Sequence, residues 1–495
     1  MEDDFKLLFR YLLVTIDIMS SARKIVKNST IYLLSNLLYY VLTFFTVMFT
    51  ARYLGADNYG ILSIALAFST TFVAISDLGI GTLTTREIAK DKSLTTKFIR
   101  NIFPLKLVLA IISMLIVFII ANLSNYSPIT LYTIYIASLL IIVGVFPGIF
   151  LSIFQAYEMM EYPSVNMILN GIFMFLGTFF IIFNGLGVIE FSMLNVIVSA
   201  IVLVYCLIVF NWKISSPKFE FDLVFWKKII KKALPFGLIS ISGVLYTYLD
   251  SIMLSLLQPI EVVGWYSVAY RLILVLLFIP TAFNTAIFPV MSKYFVSAHN
   301  SLKLINERYF KLMIIMGIPI GFGTMLLADK IIYILFGSSY LNSVIALQIL
   351  IWTIVFTFVG ASFVQLLQAT NREFAITKIS LICVLLNLVL NLILIPKFSY
   401  VGACFATLIT EFVLVSYIIK ISYKVGYGIP IRNMITVIAK VVISSLFMSV
   451  FIICLNDLNL FLLIILSIFV YISLLLLIRG IDKDDINMIK RLIKC

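Results

Sequence analysis

Long apolar runs with no internal alternation leave this chain few ways to fold. Residues 31–51, 105–121, 131–154 and 461–478 are almost continuously hydrophobic. A bilayer core of roughly 30 Å needs about 20 such residues per helix. Backbone inside a bilayer must satisfy its N–H and C=O groups internally, so only helices and closed barrels can span it. Barrel strands alternate apolar and polar residues over about ten positions, and these runs do not. The expected fold is an all-α integral membrane protein. Composition agrees: 62% of residues are hydrophobic and 12% charged, against about 25% charged in a soluble domain.

Apolar windows between polar punctuation predict about fourteen transmembrane helices: 28–52, 60–80, 102–121, 129–154, 164–184, 190–210, 233–257, 263–290, 310–328, 343–369, 375–395, 400–422, 433–455 and 459–479. The apolar segment 329–342 is short and is expected to lie at the interface or to re-enter. Residues 1–18 are too short to span. They read either as an interfacial amphipathic helix or as residues ahead of a true start at Met19.

Positive charge sets the orientation, because cytoplasmic loops carry excess Lys and Arg. With the N-terminus inside, all but four of the 36 Lys and Arg fall on inner loops and tails. Arg52, Lys330 and Lys397 fall outside, and Arg271 falls within a span. The expectation is a multi-pass cell-membrane protein with both termini cytoplasmic. Its net charge of +13 then faces anionic lipid. No basic soluble domain exists to bind nucleic acid. The cysteines lack any CxxC spacing, so neither a zinc site nor a disulfide framework is expected, and no cofactor is. The lone histidine, His299, reads as an ordinary surface residue.

A weak internal repeat organises the chain. Residues 53–69 read YLGADNYGILSIALAFS and residues 257–273 read LQPIEVVGWYSVAYRLI. Each has a short acidic loop (Asp57; Glu261), a glycine beside tyrosine (Tyr59-Gly60; Gly264-Trp265-Tyr266), then a helix of small residues. Parallel repeats of this kind are a recurring transporter plan. The expected domains are an N-tail (1–27), a six-helix lobe (28–210), a basic linker (211–232), a second six-helix lobe (233–425) related to the first by a pseudo-two-fold, two extra helices (431–480) and a C-tail (481–495).

Several stretches, in order, resemble one family. They are NSTIYLLSN from Asn28, ARYLGADNYG from Ala51 and SDLGIGTLTTR from Ser76. Then come Pro235-Phe236-Gly237, Asp250, VGWYS from Val263, Pro289, LFGSSY from Leu335, NLVLNLILIP from Asn387 and Gly402-Ala403. Over about 25–425 the chain is similar to the polysaccharide synthase (polysaccharide transporter) family. That family lies in the multidrug/oligosaccharidyl-lipid/polysaccharide flippase superfamily, which includes the O-antigen flippases. The resemblance implies a monomeric flippase, not an enzyme. It would move an oligosaccharide on an isoprenyl phosphate or pyrophosphate lipid from the cytoplasmic to the outer leaflet by alternating access. Two readings stand beside it. One is a cation-coupled multidrug exporter of the same superfamily. The other is an integral membrane glycosyltransferase or polymerase, which would need catalytic acids in a sizeable aqueous loop; the loops here are short and basic.

Charges within spans cost about 2.5–3.5 kcal/mol each on insertion scales, so they mark candidate sites. Arg271, in span 8, suits a phosphate because its guanidinium fork matches two oxygens. The alternative is a structural pair with Asp250 of span 7, itself a candidate for binding a coupling H+ or Na+. Arg52, at the outer end of span 1, is a substrate-cavity candidate or an interfacial anchor, and Asp57 a solvated loop acid. Asp77 is a coupling-ion candidate that could instead cap a broken helix or pair with Arg86. Glu411, alone in mid-span 12, is a coupling-proton candidate. Asn166 with Asn170, and Asn387 with Asn391, lie on helix faces and are expected to join helices. Pro235, Pro280, Pro289 and Pro319 are expected to bend helices.

Overall fold

The computed structural model describes residues 31–481 except 33, 215–218 and 296–299. The expected tail 1–27, Met19, His299 and all but the first residue of 481–495 lie outside the described residues. Within them the chain is helices and turns, with no strand.

Twelve helical stretches are long and apolar enough to cross a bilayer. They are α1 (Leu34–Lys90), α2 (Lys92–Leu123), α3 (Pro128–Ala156), α4 (Glu161–Phe183), α5 (Val188–Lys213), α6 (Leu223–Leu257), α7 (Ile260–Phe295), α8 (Asn300–Leu326), then, after a short helix α9 (Ala328–Phe336), α10 (Ser343–Ala369), α11 (Glu373–Lys424), α12 (Ile431–Cys454) and α13 (Leu460–Leu477). Two of these are far longer than one crossing needs. α1 has 57 residues and is broken at Gly55, where φ is +70°; α11 has 52 and is broken at Ser399. Each is two helices across a kink. Among the described residues the spanning stretches number twelve, against the fourteen expected from sequence, because 28–52 with 60–80 and 375–395 with 400–422 run on as kinked continuous stretches. At nine residues, α9 is about 14 Å long at 1.5 Å per residue. It cannot span, in keeping with the re-entrant reading of 329–342.

Turns gather at two ends of the bundle. At one end Tyr53 donates to Leu186 O, Tyr126 bonds Ser255, Gln258 donates to Ile395 O, and Lys330 donates to Asn456 O and Leu458 O. At the other, the basic end, Thr95 bonds Tyr157, Trp226 donates to Asn101 O, and Asn433 donates to Glu307. Helices run past their apolar windows mainly at the basic end. α6 starts at Leu223 rather than 233, α1 runs on to Lys90, and α8 starts at Asn300 rather than 310. Lys227, Lys228, Lys231 and Lys232 hide this helix from a hydropathy reading, and the expected linker 211–232 is half helix. Asp222 caps α6 by accepting from Phe225 N at 3.0 Å, satisfying a helix-start donor.

Apolar packing forms two clusters. The larger joins α1 to α7 with α10 and parts of α8, α9 and α11. The smaller joins α8, α10 and α11 to α12 and α13. The last two helices are thus an addition laid against α8.

Candidate functional site

Arg271 stands where four helical limbs meet. It projects from α7, with the hydroxyls of Tyr59 (second limb of α1) and Tyr248 (α6) beside its guanidinium. Tyr39, on the first limb of α1, lies beside them. None of the ion pairs among the described residues includes Arg271. Phenol oxygens surround its charge, and no acid among the described residues pairs with it.

Asp250 does not pair with Arg271, which corrects the structural alternative from sequence. It is 2% exposed and accepts from Tyr266 (2.5 Å), Asn391 Nδ2 (2.5 Å) and the Thr407 hydroxyl. Asn391 also donates to Asn387 at 2.9 Å. The Asn391 Oδ1 is buried with no hydrogen-bond partner. Two hydroxyl donors and one amide N–H donor, from α7 and both limbs of α11, therefore converge on one buried acid of α6. One turn away on the same seam, Glu411 accepts from Tyr246 (2.5 Å) and Thr357 (2.8 Å). Tyr246 and Asp250 are i,i+4 on α6, as are Thr407 and Glu411 on α11, so the two acids form adjacent rungs. The sequence nominated both acids but missed Thr407, Tyr266 and Thr357. Such hydroxyls are too common in helices to stand out.

Asp77 is bonded to Lys106 Nζ at 2.5 Å, not to Arg86. Lys106 is fully buried, whereas the sequence placed it among loop-flanking charges. Because α2 continues to Lys92, Lys106 lies well inside the bundle. Asp77 also accepts weakly from Gly81 N (3.4 Å), so the helix-capping alternative holds. Arg86 instead stacks over Phe236, 5.7 Å from the ring centre. Arg52 is exposed and donates to Ile334 O at 2.7 Å. That carbonyl lies in the last turn of α9, where unsatisfied carbonyls favour a cation. Next to it Tyr340 donates to Ala51 O at 2.8 Å.

The two glycine-tyrosine stretches compared in the sequence lie against each other. A Cβ on Gly60 would lie 2.3 Å from Ile260 O, and one on Gly264 would lie 2.1 Å from Ala56 O. The glycines of the two stretches thus face each other's backbone reciprocally, away from the basic end. Nearer the basic end, Gly237 and the Leu78-Gly79 break make a second backbone-on-backbone approach, 2.2 Å from Gly79's Cβ position to Gly237 N. Only glycine permits such approaches. The first six crossing segments therefore touch α6 and α7 at two levels, with Arg271 between them.

Two cavities flank this region. One, of about 670 Å³, lies between α1, α3 and α6 toward the basic end, with Asp77, Thr85 and Arg86 on its wall. The other, of about 690 Å³, is almost wholly apolar. It lies between α7, α8, α12 and α13, lined by Phe283, Leu312, Met448 and Tyr471 among others.

Residues 25–295 match the family described as polysaccharide biosynthesis protein, and residues 235–393 match MatE. The chain is 24% identical over 403 residues to the capsular polysaccharide biosynthesis protein CapF of Staphylococcus aureus, covering 79% of this chain and 98% of that one. It is 30% identical over 171 residues to the probable low-salt glycan biosynthesis flippase Agl15 of Haloferax volcanii, covering 34% of this chain and 36% of that one. The match spans only about a third of that relative's length. Among solved structures the chain is similar to the lipid II flippase MurJ in an inward closed conformation, with TM-score 0.76, 17% identity, and coverage of 90% of this chain and 97% of that one. It is also similar to an inward-facing multidrug resistance MATE family transporter, with TM-score 0.62, 15% identity, and coverage of 78% and 94%. These likenesses establish the fold.

Proposed function

The chain belongs to the polysaccharide biosynthesis protein family, whose profile matches more than half of it, and on that premise we propose that it is a flippase for lipid-linked oligosaccharide or polysaccharide precursors. The carrying observation is Arg271. A guanidinium with no ion-pair partner among the described residues, at the meeting of α1, α6 and α7, suits a phosphate or pyrophosphate, which it can grip through two oxygens. Tyr59 and Tyr248 would hold the fork until cargo arrives. The apolar cavity beside α12 and α13 would take part of the isoprenyl chain.

The two glycine contacts would be the gates between two six-helix lobes, opening alternately on either side of the Arg271 level. Cargo would load at the basic end, read as cytoplasmic together with both termini, and leave at the other. Asp250 would hold the coupling cation: its carboxylate, with the lone pairs of the Tyr266 and Thr407 hydroxyls, offers a monovalent ion oxygen ligands. Glu411 is the second coupling position, for a proton. Asp77 is a weaker coupling position than the sequence suggested, because Lys106 already neutralises it. The chemistry is transport, with no covalent step. A multidrug exporter is the second reading, supported by the MatE match over residues 235–393. A cavity built for cationic drugs would not place a bare arginine at its centre.

The deciding measurement is movement of an isoprenyl-pyrophosphate oligosaccharide across proteoliposome membranes. Movement that depends on the protein and is lost in Arg271→Ala supports the flippase. Ion-driven efflux of amphipathic cations, with no movement of several lipid-linked sugars, favours the exporter.

A further inference from the structure

We propose that the cavity of about 670 Å³ between α1, α3 and α6 is the subsite for the first sugars of the cargo, a reading that rests on the flippase assignment above. Its place fits. Val244 roofs it from α6, one helical turn from Tyr248, which holds Arg271. A phosphate at Arg271 would therefore put the attached sugar at the mouth of this cavity. Liquid water takes about 30 Å³ per molecule, so 670 Å³ corresponds to roughly 22 waters. A hexose has a dozen non-hydrogen atoms, so about two rings fit.

The walls match neutral, hydroxyl-rich chemistry. Asp77 accepts the Lys106 bond at 2.5 Å, which cancels its charge and leaves its second oxygen as a plain acceptor. Thr85 donates to Ser152 O (3.0 Å), and Ser152 donates to Gly148 O (2.6 Å). Both hydroxyl oxygens thus keep lone pairs for sugar O–H groups. Gln155 and Arg86 are exposed on the same wall and supply planar donors. Val73 and Leu151 give the apolar patches that a ring's C–H face needs. On α3, Gly144 and Gly148 leave a flat strip. A Cβ on Gly148 would meet nothing within 4 Å, and one on Gly144 only ordinary contacts of 3.6–3.8 Å. These glycines are not needed for close helix packing, unlike Gly60 or Gly264. They keep the cavity wide.

The test compares two probes in proteoliposomes: isoprenyl pyrophosphate without sugar, and the same lipid carrying an N-acetylhexosamine disaccharide. Gly148→Leu starts from a Cβ position with nothing within 4 Å and carries its further carbons into the cavity, so the ratio of sugar-bearing to bare transport is expected to fall at least tenfold, while Gly148→Ala changes it less than about threefold. Gln155→Trp intrudes from an exposed position and gives the same loss if the leucine variant folds poorly, as judged by its melting temperature. An unchanged ratio in both Gly148→Leu and Gln155→Trp overturns the subsite and leaves the flippase standing. Wild-type transport of the bare lipid alone also counts against the subsite. Wild-type transport of neither probe removes the flippase reading, and this inference with it.

Discussion

Two charges of opposite sign, Arg271 and the buried Asp250, sit on neighbouring helices and ignore each other, while one pair, Asp77 and Lys106, is locked together. Arg271 is held by Tyr59 and Tyr248. Asp250 is held by Tyr266, Asn391 and Thr407. Asp77 and Lys106 meet at 2.5 Å. Pairing would be the easy way to house Arg271 and Asp250 in a membrane, since an isolated charge there costs several kcal/mol. Solvating each with neutral hydrogen-bonding groups keeps its charge available instead. The compensated pair reads as architecture. Under the proposed function, the charges without an ion-pair partner among the described residues would take ions of opposite sign, an anionic headgroup at Arg271 and a cation at Asp250.

The largest effect expected on this contrast is on stability and falls on the compensated pair. Lys106→Met leaves Asp77, whose side chain is 27% exposed, without its counter-charge; breaking a fully buried pair costs about 3–5 kcal/mol, and this half-buried one less. A marked drop in the melting temperature of the detergent-solubilised protein is expected. Asp77→Asn combined with Lys106→Met should recover most of it, because both charges are then gone. Full stability in Lys106→Met alone would erase the distinction between the two kinds of charge. Arg271→Ala is expected to do the reverse: a normal melting temperature and a transport rate at least 100-fold lower, which corresponds to about 2.7 kcal/mol. Arg271→Lys should recover little, since an ammonium lacks the fork. If Arg271→Ala melts early and transports at a reduced but measurable rate, Arg271 belongs with the structural charges.

How much of this was legible in the sequence follows from what each feature announces. The all-helical membrane-spanning fold was readable because hydropathy is a local signal. Helix starts at the basic end were not, because Lys227 to Lys232 look like a linker while still being helical. Arg271, Asp250 and Glu411 announced themselves as charges in apolar runs. Their partners did not: Tyr248, Thr407 and Thr357 are ordinary helix residues until three-dimensional packing joins helices far apart in sequence. Lys106 was misplaced for a related reason. It sits near the edge of an apolar window, and only the extension of α2 to Lys92 shows that it is buried.

The coupling acids sharpen the comparison further, at smaller magnitude. Asp250→Asn keeps the side-chain shape but removes the charge and one acceptor oxygen, so cation stimulation of transport should fall about tenfold, with the cation-independent rate retained. Glu411→Gln, one turn along the seam, should leave the response to Na+ within about threefold and flatten the response to a pH gradient. Equal loss of both responses in both variants would merge the two rungs into a single site.

Arg52 is the smallest and most diagnostic case. It was a cavity candidate on charge alone, yet it is exposed and donates to Ile334 O at the end of α9. Losing one exposed hydrogen bond is worth about 0.5 kcal/mol, so Arg52→Ala should alter transport by about twofold. The change should be the same for sugar-bearing and bare lipid, because the contact pins α1 to α9 rather than touching cargo. A loss approaching that of Arg271→Ala, confined to phosphate-bearing probes, would bring Arg52 into the headgroup path. The Arg52 contact with α9 would then be a resting position that cargo displaces.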